Sequence, residues 1–262
     1  YPDAWVTTIV STPFHLDVLA TVAARRKQTL CVMLDLDAGM HRTGIGFGPN
    51  AVKLYRKIDA DQFLDPSGFH LYDGHDNFSD VVQREAAAQR NIDSLQEFKQ
   101  QIESAGMLVP CVVAGGSFSF AYYARTEGMY GSPGTFIYWD IGYSTAMPDM
   151  PFRWAALILT QVVDRHPDAG TITTDLGSKG ISSDLPVEER AYLLDQDKAQ
   201  FIQQSEEHGV FRIPGKLPRV GDYLLAVPGH ICPTTIRYPG IHVINTAGEV
   251  IDYYLHTARD RL

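Results

Sequence analysis

The sequence predicts an α/β fold, a partial (β/α)8 TIM barrel of about five βα units followed by a mostly antiparallel β domain. In the first half of the 262-residue chain, short β-rich apolar runs alternate with helical patterns, which is typical of a parallel sheet. After Met150 the helical patterns give way to β-like runs separated by glycine and proline turns. We therefore expect the C-terminal part of a barrel at 1–149 and a β domain at 150–262.

The barrel part is predicted element by element. Its strands are VTTIV (6–10), TLCVMLDLD (29–37), GFHLYDGH (68–75), PCVVAGG (110–116) and GTFIYWD (134–140). Apolar spacing predicts helices after the first strand, near 51–59 and over 79–105, the last ending at Gly106. A closed barrel has eight strands in about 250 residues. The expectation is therefore that about three units, at roughly 30 residues each, belong before Tyr1.

The β domain is predicted from shorter signals. RWAALILTQVVDRHP is compatible with a helix or with a buried strand. The predicted strands are TITTD, VFRI, DYLLAVPGH, TIRYPGIHVIN and EVIDYYLHTA. IHVIN and EVIDYY flank the turn sequence TAGE, which predicts a hairpin.

Composition excludes several classes of partner. A net charge of −9 without a cluster of basic residues argues against nucleic acid and against an anionic membrane, so a small-molecule ligand is expected. No run reaches the roughly 18 apolar residues of a membrane span. The three cysteines are odd in number and far apart, which favours a reducing compartment, and we expect a cytoplasmic protein.

The stretch PGHICPTT (228–235) contains a candidate metal pair. If it is a strand, His230 and Cys232 point the same way and present an imidazole and a thiolate to one point. These donors favour zinc over magnesium or calcium, and a site with few protein ligands leaves positions for substrate. The alternative is a buried cysteine beside a histidine bonded to backbone. Taken alone, one such pair favours that alternative, because strong zinc signatures carry four spaced ligands.

The stretch LDLDAGMHRTGIG (34–46) contains a candidate anion-binding arginine. It places two carboxylates at the end of a strand, followed by a glycine-rich loop with Arg42. In a parallel barrel this end is the active-site face, so the planar guanidinium of Arg42 could hold an anion or a cofactor oxygen. Alternatively, Arg42 pairs with Asp35 or Asp37 in a solvated turn. The spacing leaves both interpretations open.

Other stretches carry weaker signals. AGGSFSF (114–120) and SPGTFIYWD (132–140) place glycine beside a hydroxyl residue, as phosphate sites and ordinary turns both do. His70 and Tyr72 in GFHLYDGH could face a planar ligand, although core packing is the default for aromatic side chains in a strand. DLGSKGISSD (175–184) and SEEHG (205–209) are typical of solvated loops.

Together these motifs resemble the D-threonine aldolase / D-serine dehydratase family, the metal-dependent branch of the alanine racemase-like, fold type III pyridoxal phosphate enzymes. The resemblance covers nearly the whole chain. Each motif is loose, but their number and order are specific.

The resemblance implies roles for individual residues. Arg42 would contact the cofactor near its phenolic oxygen, and His70, with Tyr72 beside it, would lie near the pyridine ring; Arg42 and His70 are thus the candidate catalytic residues. Ser117, Gly134 and Thr135 would cradle the phosphate of pyridoxal 5'-phosphate. His230 and Cys232 match the family's metal pair for zinc or manganese, which reverses the preference for the alternative above.

The implied activity is a lyase reaction on a D-β-hydroxy amino acid in a homodimeric enzyme. A D-threonine aldolase would give glycine and an aldehyde, and a D-serine dehydratase would give ammonia and a 2-keto acid. A non-catalytic pyridoxal phosphate-binding protein is a third possibility, against which the β domain and the metal pair count.

Two departures from the family pattern affect these expectations. The family's Schiff-base lysine lies in the first barrel strand, within the portion expected before Tyr1. Aldolases of the family often carry aspartate as the second metal ligand, whereas dehydratases carry cysteine, so Cys232 favours the dehydratase. GFHLYDGH, by contrast, is more similar to the aldolases.

Overall fold

The chain divides between Gly134 and Thr135 into two compact units. The computed structural model describes residue 4, residues 6–257 and residue 259. Parallel strand pairs lie before the boundary and antiparallel pairs after it. In the part of the chain that is described, no helix is long and apolar enough to cross a membrane.

The first unit is built on a parallel sheet with the strand order β1-β2-β4-β5-β6, and the short β3 pairs with β2. The strands are β1 (Thr7–Val10), β2 (Leu30–Asp37), β3 (Ile45–Gly46), β4 (Leu64–Leu71), β5 (Cys111–Ala114) and β6 (Met129–Gly131). Because all pairings are parallel, the carboxyl ends of these strands lie at one edge of the sheet, which we call the carboxyl edge.

Helices connect these strands, and the first three are those that the sequence predicts. They are α1 (Pro13–Arg26), α2 (Pro49–Asp59), α3 (Val81–Ser104) and α4 (Phe120–Tyr123). Thr12 caps α1 by accepting the backbone N–H of His15 at 3.2 Å, and Asp80 caps α3 by accepting that of Gln83 at 2.9 Å. Proline in the first turn of α1 and of α2 fits a helix start, where the missing N–H costs nothing.

The alternation of side chains along β2 separates the core from the opposite face of the sheet. Val32, Leu34 and Leu36 lie in the hydrophobic core with residues of α2 such as Leu54. Asp35 is the residue between two of them, so its side chain points to the other face. The LDLD pattern therefore places the Asp35 carboxylate on the face of the sheet opposite to this core.

The second unit is mostly antiparallel. Its main sheet has the order β10-β11-β8-β7-β12-β9, and β13 pairs with β14 as a separate hairpin. The elements are α5 (Ile141–Ala146), β7 (Ile158–His166), β8 (Thr171–Thr174), β9 (Ala191–Leu193), β10 (Gln200–Gln204), β11 (Gly209–Arg212), β12 (Tyr223–Pro228), α6 (Ile231–Thr235), β13 (Gly240–Ile244) and β14 (Val250–Leu255). Phe201 and Phe211 stack at 4.6 Å between ring centroids in its core.

The predicted fold class is confirmed, with corrections to individual elements. The strand predicted at 134–140 is wrong, because that segment forms a 3-10 helix at Thr135–Tyr138 and the last parallel strand is β6. The ambiguous stretch RWAALILTQVVDRHP contains a strand, β7. The predicted hairpin is confirmed as β13–β14. Four short strands, β3, β6, β9 and β10, were not predicted. None of them is longer than five residues, and QFIQQ of β10 also carries three glutamines.

Candidate functional site

The carboxyl edge of the first unit brings together most of the candidate residues from the barrel motifs. Arg42 follows β2, His70 is the penultimate residue of β4, and Tyr72 follows β4 directly. Ser117 follows β5, and Gly134 follows β6. This edge is where α/β sheets carry their ligand sites.

His70 is fixed by a buried carboxylate that the sequence did not assign to it. The two residues are paired in register on β4 and β2, and the Nδ1–H of His70 donates to Oδ1 of Asp35 at 2.7 Å. Asp35 is 4 % exposed. The hydrogen bond sets the tautomer of His70 and leaves Nε2 as the nitrogen that can accept a proton.

Arg42 does not form the ion pair considered as its alternative role. Asp35 accepts a hydrogen bond from His70, and Oδ2 of Asp37 accepts one from Nδ1 of His41 at 2.7 Å. Within the described residues neither carboxylate pairs with Arg42, whose guanidinium lies instead over the Tyr72 ring, 4.7 Å from its centroid. A stacked guanidinium keeps its in-plane N–H donors available for an anionic ligand.

Asp37 shapes the turn that carries Arg42. Its Oδ1 accepts the backbone N–H groups of Gly39 and His41 at 2.9 and 3.0 Å. Burial opposes ionisation of Asp37, but these backbone donors and the His41 imidazole hold the pKa of the carboxyl below its usual value. The turn is therefore fixed by an ionised carboxylate at its first residue.

The loops after β5 and β6 form the candidate phosphate cradle. Ser132 joins them, since its N–H donates to the carbonyl of Ala114 and its hydroxyl to that of Gly115 at 3.0 Å. Gly115 has φ of +90°, and a Cβ there would lie 2.6 Å from the Tyr123 ring. A Cβ on the exposed Gly134 would meet no atom within 4 Å, so backbone there is open to a ligand.

Asp73 is a supporting residue that sequence reasoning missed. It is 2 % exposed, and its Oδ1 accepts the N–H of Gly116 at 3.0 Å and the hydroxyl of Ser119 at 2.7 Å. Its Oδ2 accepts the hydroxyl of Tyr123 at 2.8 Å, and burial together with this carboxylate raises the pKa of Tyr123. The loop before Ser117 is thus tied to the carboxyl edge. The only signal was an aspartate directly after a buried strand.

The second unit holds the candidate metal pair on a turn and not on a strand. Strand β12 ends at Pro228, and His230 is the residue that precedes α6. The argument that i and i+2 share a strand face is therefore wrong for His230 and Cys232. The two side chains nevertheless lie near enough on this turn for each to shift the pKa of the other.

The electrostatics of the pair follow from this contact. The hydrogen bond with Cys232, aided by the Asp184 carboxylate, raises the pKa of His230 to about 9. The same hydrogen bond lowers the pKa of the Cys232 thiol, and the hydroxyl of Thr135, which contacts the sulfur, acts in the same direction.

Two carboxylates and one hydroxyl surround the pair. Asp184 Oδ2 lies 2.5 Å from Nδ1 of His230. Asp140 is 2 % exposed and accepts the N–H of Ile231, between the two candidate ligands, at 2.8 Å. Sequence reasoning missed both carboxylates and assigned Thr135 to the phosphate, whereas its hydroxyl contacts Cys232.

The donor set fits a divalent metal with few protein ligands. Among the residues that the structure describes, no group of three or more His, Cys, Asp or Glu side chains is arranged to hold a metal ion. An imidazole and a low-pKa thiol form a two-donor site of the type expected for zinc or a related ion, with its other positions left to water or substrate.

Two family models match parts of this chain. The family described as alanine racemase, N-terminal domain, matches residues 1–141. The chain belongs to this family. Residues 155–244 match a second family, the putative serine dehydratase domain. Together the two matches confirm the resemblance predicted from the motifs.

Relatives of this alanine racemase-family chain include characterised enzymes. The 3-hydroxy-D-aspartate aldolase of Paracoccus denitrificans (strain Pd 1222) is 26 % identical over 245 residues, which cover 88 % of this chain and 61 % of the relative. The chain therefore spans about three fifths of the length of that relative.

Solved structures establish the fold of the family in this chain. D-threonine aldolase from Filomicrobium marinum superposes with a TM-score of 0.90 at 24 % identity, covering 98 % of this chain and 70 % of the other. D-threo-3-hydroxyaspartate dehydratase from Delftia sp. HT23 superposes with a TM-score of 0.81 at 17 % identity, and the match covers 97 % of this chain and 73 % of the other.

Proposed function

We propose that this protein is a pyridoxal phosphate- and divalent metal-dependent lyase that acts on D-β-hydroxy amino acids as a D-threonine aldolase-like enzyme. The observation that carries the proposal is the His230–Cys232 pair, held together on one turn and supported by Asp184. A two-donor metal site in a chain of the alanine racemase family points to chemistry at a substrate hydroxyl.

Residues of the first unit would bind and orient the cofactor. Arg42, stacked on Tyr72, would direct its fork of N–H donors at the phenolic oxygen. Ser117 and the open backbone at Gly134 would hold the phosphate, with Thr135 next in the chain. The fit rests on Gly134, where the space a Cβ would occupy is free.

His70 of the first unit would handle a proton, beside the chemistry that the cofactor and the metal would supply. When bound, pyridoxal phosphate would accept the electron pair released at Cα, and the metal held by His230 and Cys232 would act as a Lewis acid toward the β-hydroxyl oxygen. His70 presents Nε2 as a general base, because Asp35 engages Nδ1 and stabilises the charged imidazole. The aldolase reaction needs a general base, because the β-hydroxyl must lose its proton.

Aldolase is favoured over dehydratase by the named relative and by the GFHLYDGH motif. The 3-hydroxy-D-aspartate aldolase covers 88 % of this chain. The dehydratase alternative is supported by the cysteine in the metal pair and by the putative serine dehydratase domain match. A cysteine-to-alanine variant of D-threo-3-hydroxyaspartate dehydratase has been solved in a metal-free form.

The test is product analysis with the protein expressed from its complete reading frame, in the presence of pyridoxal phosphate and Mn²⁺ or Zn²⁺. With D-threonine we expect glycine and acetaldehyde, and with D-threo-3-hydroxyaspartate we expect glycine and glyoxylate. Ammonia with a 2-keto acid would show the dehydratase instead. A bound cofactor without turnover of either substrate would contradict the lyase and favour a non-catalytic binding protein.

Variants connect the reaction to the candidate residues. His230→Ala and Cys232→Ala should each lower kcat/KM by about 100-fold or more, since each removes half of the protein's metal donors. Asp195→Asn, an exposed carboxylate elsewhere in the second unit, is the matched control and should leave the rate unchanged. The homodimer, the cytoplasmic location and the identity of the metal stay predictions.

A further inference from the structure

Asp184 lies in a loop that is attached to the metal-pair turn by several independent contacts. The loop is part of DLGSKGISSD (175–184), a stretch whose composition is typical of a solvated loop. Arg237 donates to the carbonyl of Ser178 at 2.9 Å, and the Tyr238 hydroxyl donates to the carbonyl of Gly180 at 2.8 Å. The loop is therefore fixed relative to the segment that follows Cys232.

A buried pair of hydroxyl residues continues this attachment up to the imidazole. The N–H of Ser182 donates to the hydroxyl oxygen of Thr234 at 3.2 Å, and that hydroxyl donates to the carbonyl of His230 at 2.7 Å. Ser182 and Thr234 are each 2 % exposed. The Ser182 hydroxyl donates to Oδ1 of Asp184, which leaves Oδ2 for Nδ1 of His230.

This arrangement differs from an ordinary surface ion pair. The side chains of His230 and Asp184 are 37 % and 46 % exposed, and a free pair of that exposure contributes little to stability. Here, however, one carboxylate oxygen is held by a buried serine, so the other is aimed at a single ring nitrogen. With Nδ1–H committed to Asp184, Nε2 is the nitrogen that remains for a metal or for Cys232.

We propose that Asp184, held by Ser182, is the positioning residue that sets the tautomer and orientation of His230 for metal binding. The inference rests on the proposed function, because it takes His230 and Cys232 as ligands. A carboxylate behind a histidine ligand fixes the ring and raises its basicity, and its loss lowers metal affinity by about 10- to 100-fold.

The test measures Zn²⁺ affinity of the full chain by competition with a chromophoric chelator. Asp184→Asn should weaken Zn²⁺ binding by about 10- to 100-fold, whereas Asp195→Asn, the matched control, should bind as the wild type does. With Co²⁺ at saturation, Asp184→Asn should keep the sulfur-to-cobalt absorption band, since Cys232 is unchanged. A variant that only lost a surface ion pair would show no change in Zn²⁺ affinity.

A second variant covers the case in which Asp184→Asn does not fold. Ser182→Ala keeps both ligands and the carboxylate but releases Oδ1, so it should weaken Zn²⁺ binding severalfold. Unchanged affinity in the folded variant, with binding lost in His230→Ala, would overturn the role of Asp184 and leave the metal pair intact. Unchanged affinity in His230→Ala and Cys232→Ala would overturn the metal pair and the role of Asp184 with it.

Discussion

The two units hold their candidate residues in different ways. In the first unit, Asp35 and His70 are neighbours because β2 and β4 pair in parallel register, so the sheet itself brings them together. In the second unit, His230 and Cys232 lie on a turn, and the carboxylates that support them come from positions 46 and 91 residues away in sequence from their partners. One site is positioned by regular backbone pairing and the other by side chains from distant loops.

This difference indicates which supporting side chains each site depends on. A sheet edge is maintained by many backbone hydrogen bonds, so a single side chain there matters chiefly when it is buried and has several partners. A turn has few backbone hydrogen bonds of its own, so each supporting side chain contributes directly to the geometry of the site. Substitutions of the supporting carboxylates test this contrast.

The largest effect on stability is expected from Asp73→Ala in the first unit. The substitution leaves the N–H of Gly116 and the hydroxyls of Ser119 and Tyr123 without their buried acceptor. Bonds to a charged acceptor are stronger than neutral ones, so the free energy of unfolding should fall by about 4 kcal/mol. Urea unfolding followed by circular dichroism measures the change.

The control for this substitution is Asp17→Ala, an exposed carboxylate on α1. It should change the free energy of unfolding by less than about 0.5 kcal/mol. If Asp73→Ala were as mild as the control, the loop before Ser117 would be held by the sheet alone.

A smaller effect is expected from Asp140→Asn in the second unit. The two oxygens of Asp140 accept the N–H groups of Tyr143 and Ile231 at 2.7 and 2.8 Å, whereas an asparagine has one oxygen and leaves one buried donor unpaired. The cost should be about 2 kcal/mol in the free energy of unfolding. Because Ile231 lies between the candidate ligands, Zn²⁺ affinity should fall as well, which is the direct measurement.

Asp195→Asn serves again as the control for Asp140→Asn. A loss of stability without any loss of Zn²⁺ affinity would mean that the turn keeps its shape without Asp140. The second unit would then resemble the first in depending on its backbone for the site.

The sequence predicted the parts of the fold that depend on local pattern. Strands β2, β4 and β5 carry apolar runs that the core requires, and α3 has both its capping aspartate and its periodicity. The strand predicted at 134–140 failed because GTFIYWD is as apolar and aromatic as a strand, yet it forms a 3-10 helix. Trp139 within it has φ of +51° and is buried by Tyr143 and Phe152, so tertiary packing overrides local propensity there.

The site was predictable only where a motif contained it. His230 and Cys232 stand together in PGHICPTT, and Arg42 lies in a glycine-rich turn. Asp184 could not be assigned to His230, since nothing in DLGSKGISSD distinguishes a supporting carboxylate from a solvated one. Contacts of this kind are set by how distant loops pack, and that packing leaves no periodic signal in a single sequence.

The smallest expected effects concern how the free energy of unfolding of variants in the two units changes with pH. Asp37 has a pKa below its usual 3.8, because the N–H groups of His41 and Gly39, together with the His41 imidazole, outweigh the effect of burial. Its charge stabilises the fold above that pH and is lost as pH falls through the folded pKa, so the deficit of Asp37→Asn, about 1 kcal/mol at neutral pH, should shrink on acidification.

Asp140 should behave in the opposite way, because burial raises its pKa above 3.8. Its contribution is complete below that pH and is lost as pH rises through the folded pKa, so the deficit of Asp140→Asn should grow on acidification. Urea unfolding of both variants and the wild type at neutral pH and at about pH 3 compares the two trends. Parallel trends would mean that the carboxylates experience the same balance of burial and hydrogen bonding. Opposite trends follow if hydrogen bonding together outweighs desolvation at Asp37 and desolvation outweighs hydrogen bonding at Asp140.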